Sequence, residues 1–141
     1  MNASIRIALL VAAGLAVAAP TEAGWKLVRK DKGAALFVDT ARVIRKGGDV
    51  RFRYLADFAV PQKAFMSGEP YRSAITDAMV RCKSRQIALG RMRMYSETGG
   101  KGRLVETTPT APTPFEMVEN ATSDEDLWKY FCPPGPGVRR P

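Results

Sequence analysis

The two cysteines, Cys82 and Cys132, are the most reactive side chains in this sequence of 141 residues. Between them lie 49 residues, which is not the C-x-x-C spacing of redox motifs, and the chain has no histidine that could complete a zinc site. If the domain is exported, two cysteines most simply form one disulfide, and only one pairing exists. Two free thiols, or a redox or metal site, are the alternatives.

Residue patterns that would support catalysis are missing from the sequence. There is no histidine to act as a general base, and no serine lies in a G-x-S-x-G or S-x-x-K pattern. The acidic run 124–126 is typical of a helix start rather than a metal site. Met92 and Met94 are typical of core filling, and 99–102 lacks the P-loop pattern. We therefore expect no catalytic residue, no cofactor and no metal ion, so that the protein is not an enzyme.

Four arginines form the candidate binding site. Arg51, Arg53, Arg91 and Arg93 alternate with apolar residues on two predicted strands. If these strands are neighbours, four guanidinium groups share one sheet face and could grip sulfate, phosphate or carboxylate groups. The alternative is a solvated face that only keeps the sheet soluble. We expect their replacement to leave the fold intact, because no core contact would be lost.

The charge distribution supports an anionic partner. Residues 26–103 hold 18 Lys and Arg against 7 Asp and Glu, whereas residues 104–141 hold 3 against 6. A basic body favours membrane phosphates, sulfated glycans or acidic proteins. Nucleic acid is not expected, because binding it would need aromatic side chains on the arginine face, and Phe52 and Tyr54 point the other way.

The N-terminal segment predicts export. Arg6 precedes an apolar run over 7–19, and Thr21-Glu22-Ala23 ends the segment with small residues at the cleavage positions. This pattern is typical of a secretory signal peptide over residues 1–23, too short to span a bilayer as a helix. We expect a periplasmic, outer-surface or secreted protein with no transmembrane segment after signal removal. Gly24 stands where a lipoprotein would carry its modified cysteine, so no lipid anchor is expected.

The rest of the chain predicts an α+β domain with a single antiparallel sheet of about five or six strands and a C-terminal helix packed on it. Strands are indicated at 25–29, 34–40, 43–45, 50–60, 87–95 and 103–107, with Gly90 marking a bulge. The stretch 74–81 suits helix or strand equally. The strand from residue 50 is expected to stop at Pro61, with a loop over 61–70.

Proline governs the C-terminal part of the chain. Three prolines exclude helix and strand over 108–114, an extended stretch long enough to cross a small sheet. Thr122 with Glu125 fits a capping box, and Leu127 and Phe131 lie on one face of the helix that follows. Residues 133–141 are expected to form a disordered tail rich in Pro and Gly.

Scattered residues over roughly 24–132 resemble the surface-adhesin protein E family of Gram-negative bacteria. They are Trp25, Phe37-Val38-Asp39-Thr40, Tyr71-Arg72-Ser73, Cys82-Lys83-Ser84-Arg85, Tyr95 before a Gly-rich turn, and Ser123, Leu127 and Cys132. The resemblance implies an antiparallel sheet with a C-terminal helix, a Cys82–Cys132 disulfide and, as in some members, surface display and binding of host proteins. The chain departs from the family in lacking the lipoprotein cysteine.

Together these features predict an exported, non-enzymatic binding protein. It would be adhesin-like or envelope-associated and would recognise an acidic or anionic component of the host extracellular matrix or the cell envelope. The alternative is a periplasmic accessory, inhibitor or enzyme subunit with a site built from Tyr, Arg and Asp.

Overall fold

The computed structural model describes residues 24–134. The predicted signal peptide and residues 135–141 of the predicted tail lie outside this range. Within it the chain forms eight strands and one α-helix. They are β1 (Trp25–Lys30), β2 (Ala34–Asp39), β3 (Ile44–Lys46), β4 (Asp49–Lys63), β5 (Pro70–Arg81), β6 (Gln86–Tyr95), β7 (Leu104–Thr107), β8 (Glu116–Met117) and α1 (Ser123–Phe131).

All strand pairs are antiparallel, in the order β1-β2-β4-β5-β6-β7, with β3 added to β4 and β8 to β6. The predicted α+β class and the C-terminal helix are confirmed. The strand count exceeds the expected five or six because β3 and β8 are short additions of three and two residues.

The stretch 74–81, whose sequence suits helix or strand equally, lies in strand β5. This strand pairs with both β4 and β6. Its alternate residues Ala74, Thr76, Ala78 and Val80 are buried on one face, which suits a central strand. The expectation that the preceding strand stops at Pro61 was wrong, since β4 continues to Lys63. The β4–β5 register breaks between residues 57 and 62, so a proline there removes no ladder hydrogen bond.

The predicted bulge at Gly90 is confirmed. Thr76 pairs with Met92 and Ala78 with Leu89, so two residues of β6, 90 and 91, oppose only Asp77. A side chain at residue 90 would place its Cβ 3.3 Å from the Asp77 carbonyl oxygen. Glycine therefore permits the close approach of the two strands here.

The proline-rich segment has no regular secondary structure over 108–114, as predicted. Although it is long enough to cross a small sheet, it follows one edge instead. The Thr108 amide donates to the Met92 carbonyl at 2.9 Å, and the Thr113 amide donates to the Leu89 carbonyl at 2.7 Å. The segment thus runs along the outer edge of β6, from β7 to β8, because irregular backbone can still satisfy an exposed strand edge.

The helix α1 packs on the sheet as its apolar face predicts. Leu127 and Phe131 are buried, and the Phe131 ring stacks on Phe52 of β4 with centroids 4.1 Å apart. Thr122 is the N-cap and accepts a hydrogen bond from the Glu125 amide at 3.3 Å. The Glu125 carboxylate accepts a hydrogen bond from the Ala121 amide at 2.8 Å. This hydrogen bond, together with those from Lys129 and Arg85, lowers the pKa of Glu125 to about 2.

A disulfide joins Cys82, directly after β5, to Cys132, directly after α1. Their Cα atoms are 5.3 Å apart, and both cysteines of the chain are used. The C-terminal end of α1 is also held by the Arg45 guanidinium, which donates to the Phe131 carbonyl at 3.1 Å. The helix is therefore fixed to the sheet covalently as well as by packing.

We predict that replacing Cys82 and Cys132 together by Ser lowers the free energy of unfolding by about 2–5 kcal/mol, because the unfolded chain regains the freedom that the bridge removes. Urea unfolding of the variant and of the oxidised parent measures the difference. The parent after reduction is the matched control and should behave like the variant. Equal stability of all three proteins would contradict this role of the disulfide.

Candidate functional site

The candidate site is a groove of about 430 Å³ on the sheet face opposite α1, here called the arginine groove. Along β4, Val50 and Phe52 point toward α1, so Arg51 and Arg53 point away from it. Met79 and Ala88 from the next two strands also line the groove. The sheet therefore presents an arginine face, as predicted from the alternation.

The walls of the groove come from a short strand and from the irregular proline-rich segment. Ile44 of β3, which pairs with Arg51, lies on one side of the groove. Thr110 and Pro112 of the proline-rich segment lie on the other side. The Ile44 side chain is largely exposed, at 63%. The result is an open groove with both apolar contact surface and guanidinium groups.

Arg53 is fixed by a buried carboxylate. Its Nε and Nη2 atoms donate to Asp39 Oδ2 at 3.1 and 2.5 Å. The Asp39 side chain is 0% exposed and that of Arg53 is 22% exposed. The expectation that no core contact depends on the four arginines was therefore wrong for Arg53. Asp39 is the last residue of β2, and the pairing of β2 with β4 brings it next to Arg53. The alternation of residues along β4 does not reveal which residue of another strand lies beside Arg53.

Arg51 and Arg91 are the arginines best placed for a ligand. Among residues 24–134, Arg51 makes no ion pair, and Arg91 donates to the Thr110 hydroxyl without a carboxylate partner. Arg91 occupies the bulge opposite Asp77, which directs it toward the groove. Both residues line the groove, and a guanidinium group can receive an anionic group.

Arg93 lies on the same sheet face but does not line the groove. Its Nη2 atom lies 3.4 Å from Asp77 Oδ2. The structure thus brings three of the four predicted arginines together and engages the fourth in an ion pair beside them.

Sequence reasoning missed two further cations. Arg42 lines the arginine groove, and its side chain is 70% exposed. Lys46 lines a smaller adjoining pocket of about 150 Å³ that shares Ile44, Arg51 and Met79 with the groove. The run Lys46-Gly47-Gly48-Asp49 is typical of a hairpin turn and could have revealed both, because a turn there folds the segment from Arg42 to Lys46 back against the arginines of β4.

No group of three or more Cys, Asp or Glu residues that could hold a metal ion occurs within residues 24–134. The acidic residues 124–126 start α1, where Glu125 caps the helix and Asp126 pairs with Arg29 at 3.0 Å. No helix in this range is long and apolar enough to cross a membrane.

A family model described as surface-adhesin protein E matches residues 25–133. The chain belongs to this family. Family membership makes it an adhesin-like binding protein and implies an exported or outer-surface location. No curated protein matches the chain.

Solved structures of Haemophilus influenzae protein E share the fold. One, from a non-typeable strain, is 16% identical, with a TM-score of 0.58 over 82% of this chain and 81% of that one. A second, in crystal form II, is 14% identical, with a TM-score of 0.62 over 82% of this chain and 94% of that one. A third is 13% identical, with a TM-score of 0.59 over 77% and 83% of the two chains.

We predict that Arg53→Gln lowers the free energy of unfolding by about 2–4 kcal/mol, because it leaves Asp39 buried without its main partner. Arg51→Gln, two residues away on the same face, is the matched control and should change stability by less than about 0.5 kcal/mol. Urea unfolding of the two variants and the parent measures both effects. A similar loss in both variants, or none in either, would contradict the different roles assigned to these arginines.

Proposed function

We propose that this protein is an exported adhesin-like protein that binds an acidic segment of a host-matrix or envelope protein through the arginine groove. The observation that carries the proposal is the pairing of free guanidinium groups with apolar surface in one open groove. Arg51 and Arg91 supply charge without a carboxylate partner among the described residues, and Ile44 and Met79 supply apolar contact. Arg42 adds a third guanidinium group, whose Nε atom lies 4.0 Å from Asp39 Oδ2. An acidic segment that also carries apolar side chains matches both features.

The charge balance around the groove supports an anionic ligand. The charge of Arg53 is offset by Asp39, and Arg93 forms an ion pair with Asp77, which also lines the groove. Arg51 and Arg91 have no carboxylate partner among the described residues. In the adjoining pocket Lys46 and Asp49 carry opposite charges, so Arg51 supplies the net positive charge there. A guanidinium group binds a carboxylate through two parallel hydrogen bonds, so positioned arginines can select acidic side chains by geometry as well as charge.

The location also forms part of the proposal. We propose that residues 1–23 are removed as a signal peptide and that the mature protein acts outside the cytoplasm without a lipid anchor. The disulfide supports this, since such bridges persist in oxidising compartments.

We predict that a fluorescent peptide of alternating Glu and Leu binds the protein more tightly than a peptide of alternating Glu and Ser, and that binding weakens as salt rises. Exposed charges are screened over a Debye length of about 8 Å at physiological ionic strength. Replacing Arg42, Arg51 and Arg91 by Gln should weaken binding about tenfold or more, because both attraction and direct contacts are lost. Fluorescence polarisation measures the dissociation constants.

A variant with Lys26, Lys32 and Lys101 changed to Gln is the matched control, because it loses the same charge at residues that do not line the groove. It should bind nearly as tightly as the parent. Equal weakening in both triple variants would show that only net charge matters and would contradict the groove. Heparin fragments provide a comparison, and their tighter binding would indicate a glycan rather than a protein segment.

A further inference from the structure

Among residues 24–134, Asp77 is the only acidic residue that lines the arginine groove. Its side chain is 43% exposed, whereas that of Asp39, the partner of Arg53, is 0% exposed. A ligand in the groove therefore meets one accessible carboxylate as well as the guanidinium groups. The position of that carboxylate decides which arrangement of negative charge the groove accepts.

Strand pairing places Asp77 between the arginines of the groove. On one side it pairs with Arg53 of β4, and on the other it faces the two bulge residues of β6, one of which is Arg91. Two residues further along β5, Met79 pairs with Arg51. Residues two apart on a strand share a face, so the groove runs from Arg51 across Met79 and past Asp77 to Arg91.

The spacing of the two arginines without a carboxylate partner suits separated negative charges. Arg51 and Arg91 lie on β4 and β6, which β5 separates, so their backbones are at least roughly 10 Å apart. Acidic side chains two residues apart on an extended segment are about 7 Å apart, a gap that the long arginine side chains can span. Two carboxylates of a peptide can thus each meet one arginine with no charge between them.

A sulfated glycan presents its charge differently. Each of its disaccharides carries several sulfate and carboxylate groups, so the groups that reach the two arginines bring others close to Asp77. Like charges brought together in this way disfavour a complex.

Arg93 offsets the charge of Asp77 only in part. Its Nη2 atom makes a single contact with Asp77 Oδ2, at 3.4 Å, and Arg93 does not line the groove. Partly exposed ion pairs of this kind are weak, so the Asp77 carboxylate still repels an anionic group of a ligand.

We propose that Asp77 is the specificity-determining residue of the arginine groove. It disfavours densely charged polyanions such as sulfated glycans and thereby selects a protein segment whose acidic side chains are separated by uncharged ones. The role of Asp77 rests on the proposed function, because it requires that the groove binds an anionic ligand.

A fluorescent heparin hexasaccharide and the alternating Glu and Leu peptide test this role by fluorescence polarisation. The parent should bind the peptide more tightly than the hexasaccharide. Asp77→Asn removes the negative charge at nearly constant shape and frees Arg93. It should strengthen hexasaccharide binding about fivefold or more, but peptide binding by less than about twofold.

Two further variants complete the experiment. Glu119→Gln is the matched control, because it removes the same charge at an exposed residue outside the groove and its adjoining pocket, and it should leave both dissociation constants nearly unchanged. Arg93→Gln leaves the Asp77 carboxylate without its ion-pair partner, so it should weaken hexasaccharide binding more than peptide binding.

The possible failures are distinguishable. If the peptide binds the parent but the ratio of the two dissociation constants is the same in Asp77→Asn and Glu119→Gln, the role of Asp77 is overturned and the proposed function stands. If neither probe binds the parent, or if the hexasaccharide binds it more tightly than the peptide, the proposed function fails and the role of Asp77 fails with it.

Discussion

The attachment of one short helix to a wide sheet determines how this molecule is built. Six strands in hydrogen-bonded order span roughly 24 Å, whereas the nine residues of α1 extend only about 14 Å. A helix of this length is marginal by itself, so it depends on tertiary contacts. Phe131 stacking on Phe52 and the Cys82–Cys132 disulfide supply them. The part of the face that α1 leaves uncovered forms a second cavity, of about 500 Å³, whose lining includes Tyr54 and Tyr71.

The opposite face is likewise covered at one end only. There the turn that contains residues 98–100 folds over it, with the Gly99 amide donating to Asp57 at 2.6 Å and the Gly100 amide donating to Ser73 at 2.9 Å. The other end stays open between β3 and the proline-rich segment and forms the arginine groove. Each face thus combines a covered region that stabilises the sheet with an open region that forms a cavity.

The helix, the strands β4 and β6 and the bulge at Gly90 could be predicted because local signals specify them. Strand β5 could not, because its sequence suits helix or strand equally and its pairing with both neighbours decides the outcome. Capping residues, alternation and a glycine in a strand act over a few positions. The path of the proline segment and the pairing of Arg53 with Asp39 could not, because they depend on contacts between distant parts of the chain. Arg42 and Lys46 differ, because the turn sequence at 46–49 is a local signal for the β3–β4 pairing that brings them close to Arg51.

The central claim is that the sheet carries an anion-binding groove on the face opposite α1. Nuclear magnetic resonance of the arginine side chains during titration with the alternating Glu and Leu peptide tests it most directly. The account predicts that the Nε–H signals of Arg51 and Arg91 shift together and saturate, while that of Arg103 and the backbone amides of α1 do not move. Shifts centred on α1, or small shifts spread evenly over all arginines, would contradict it.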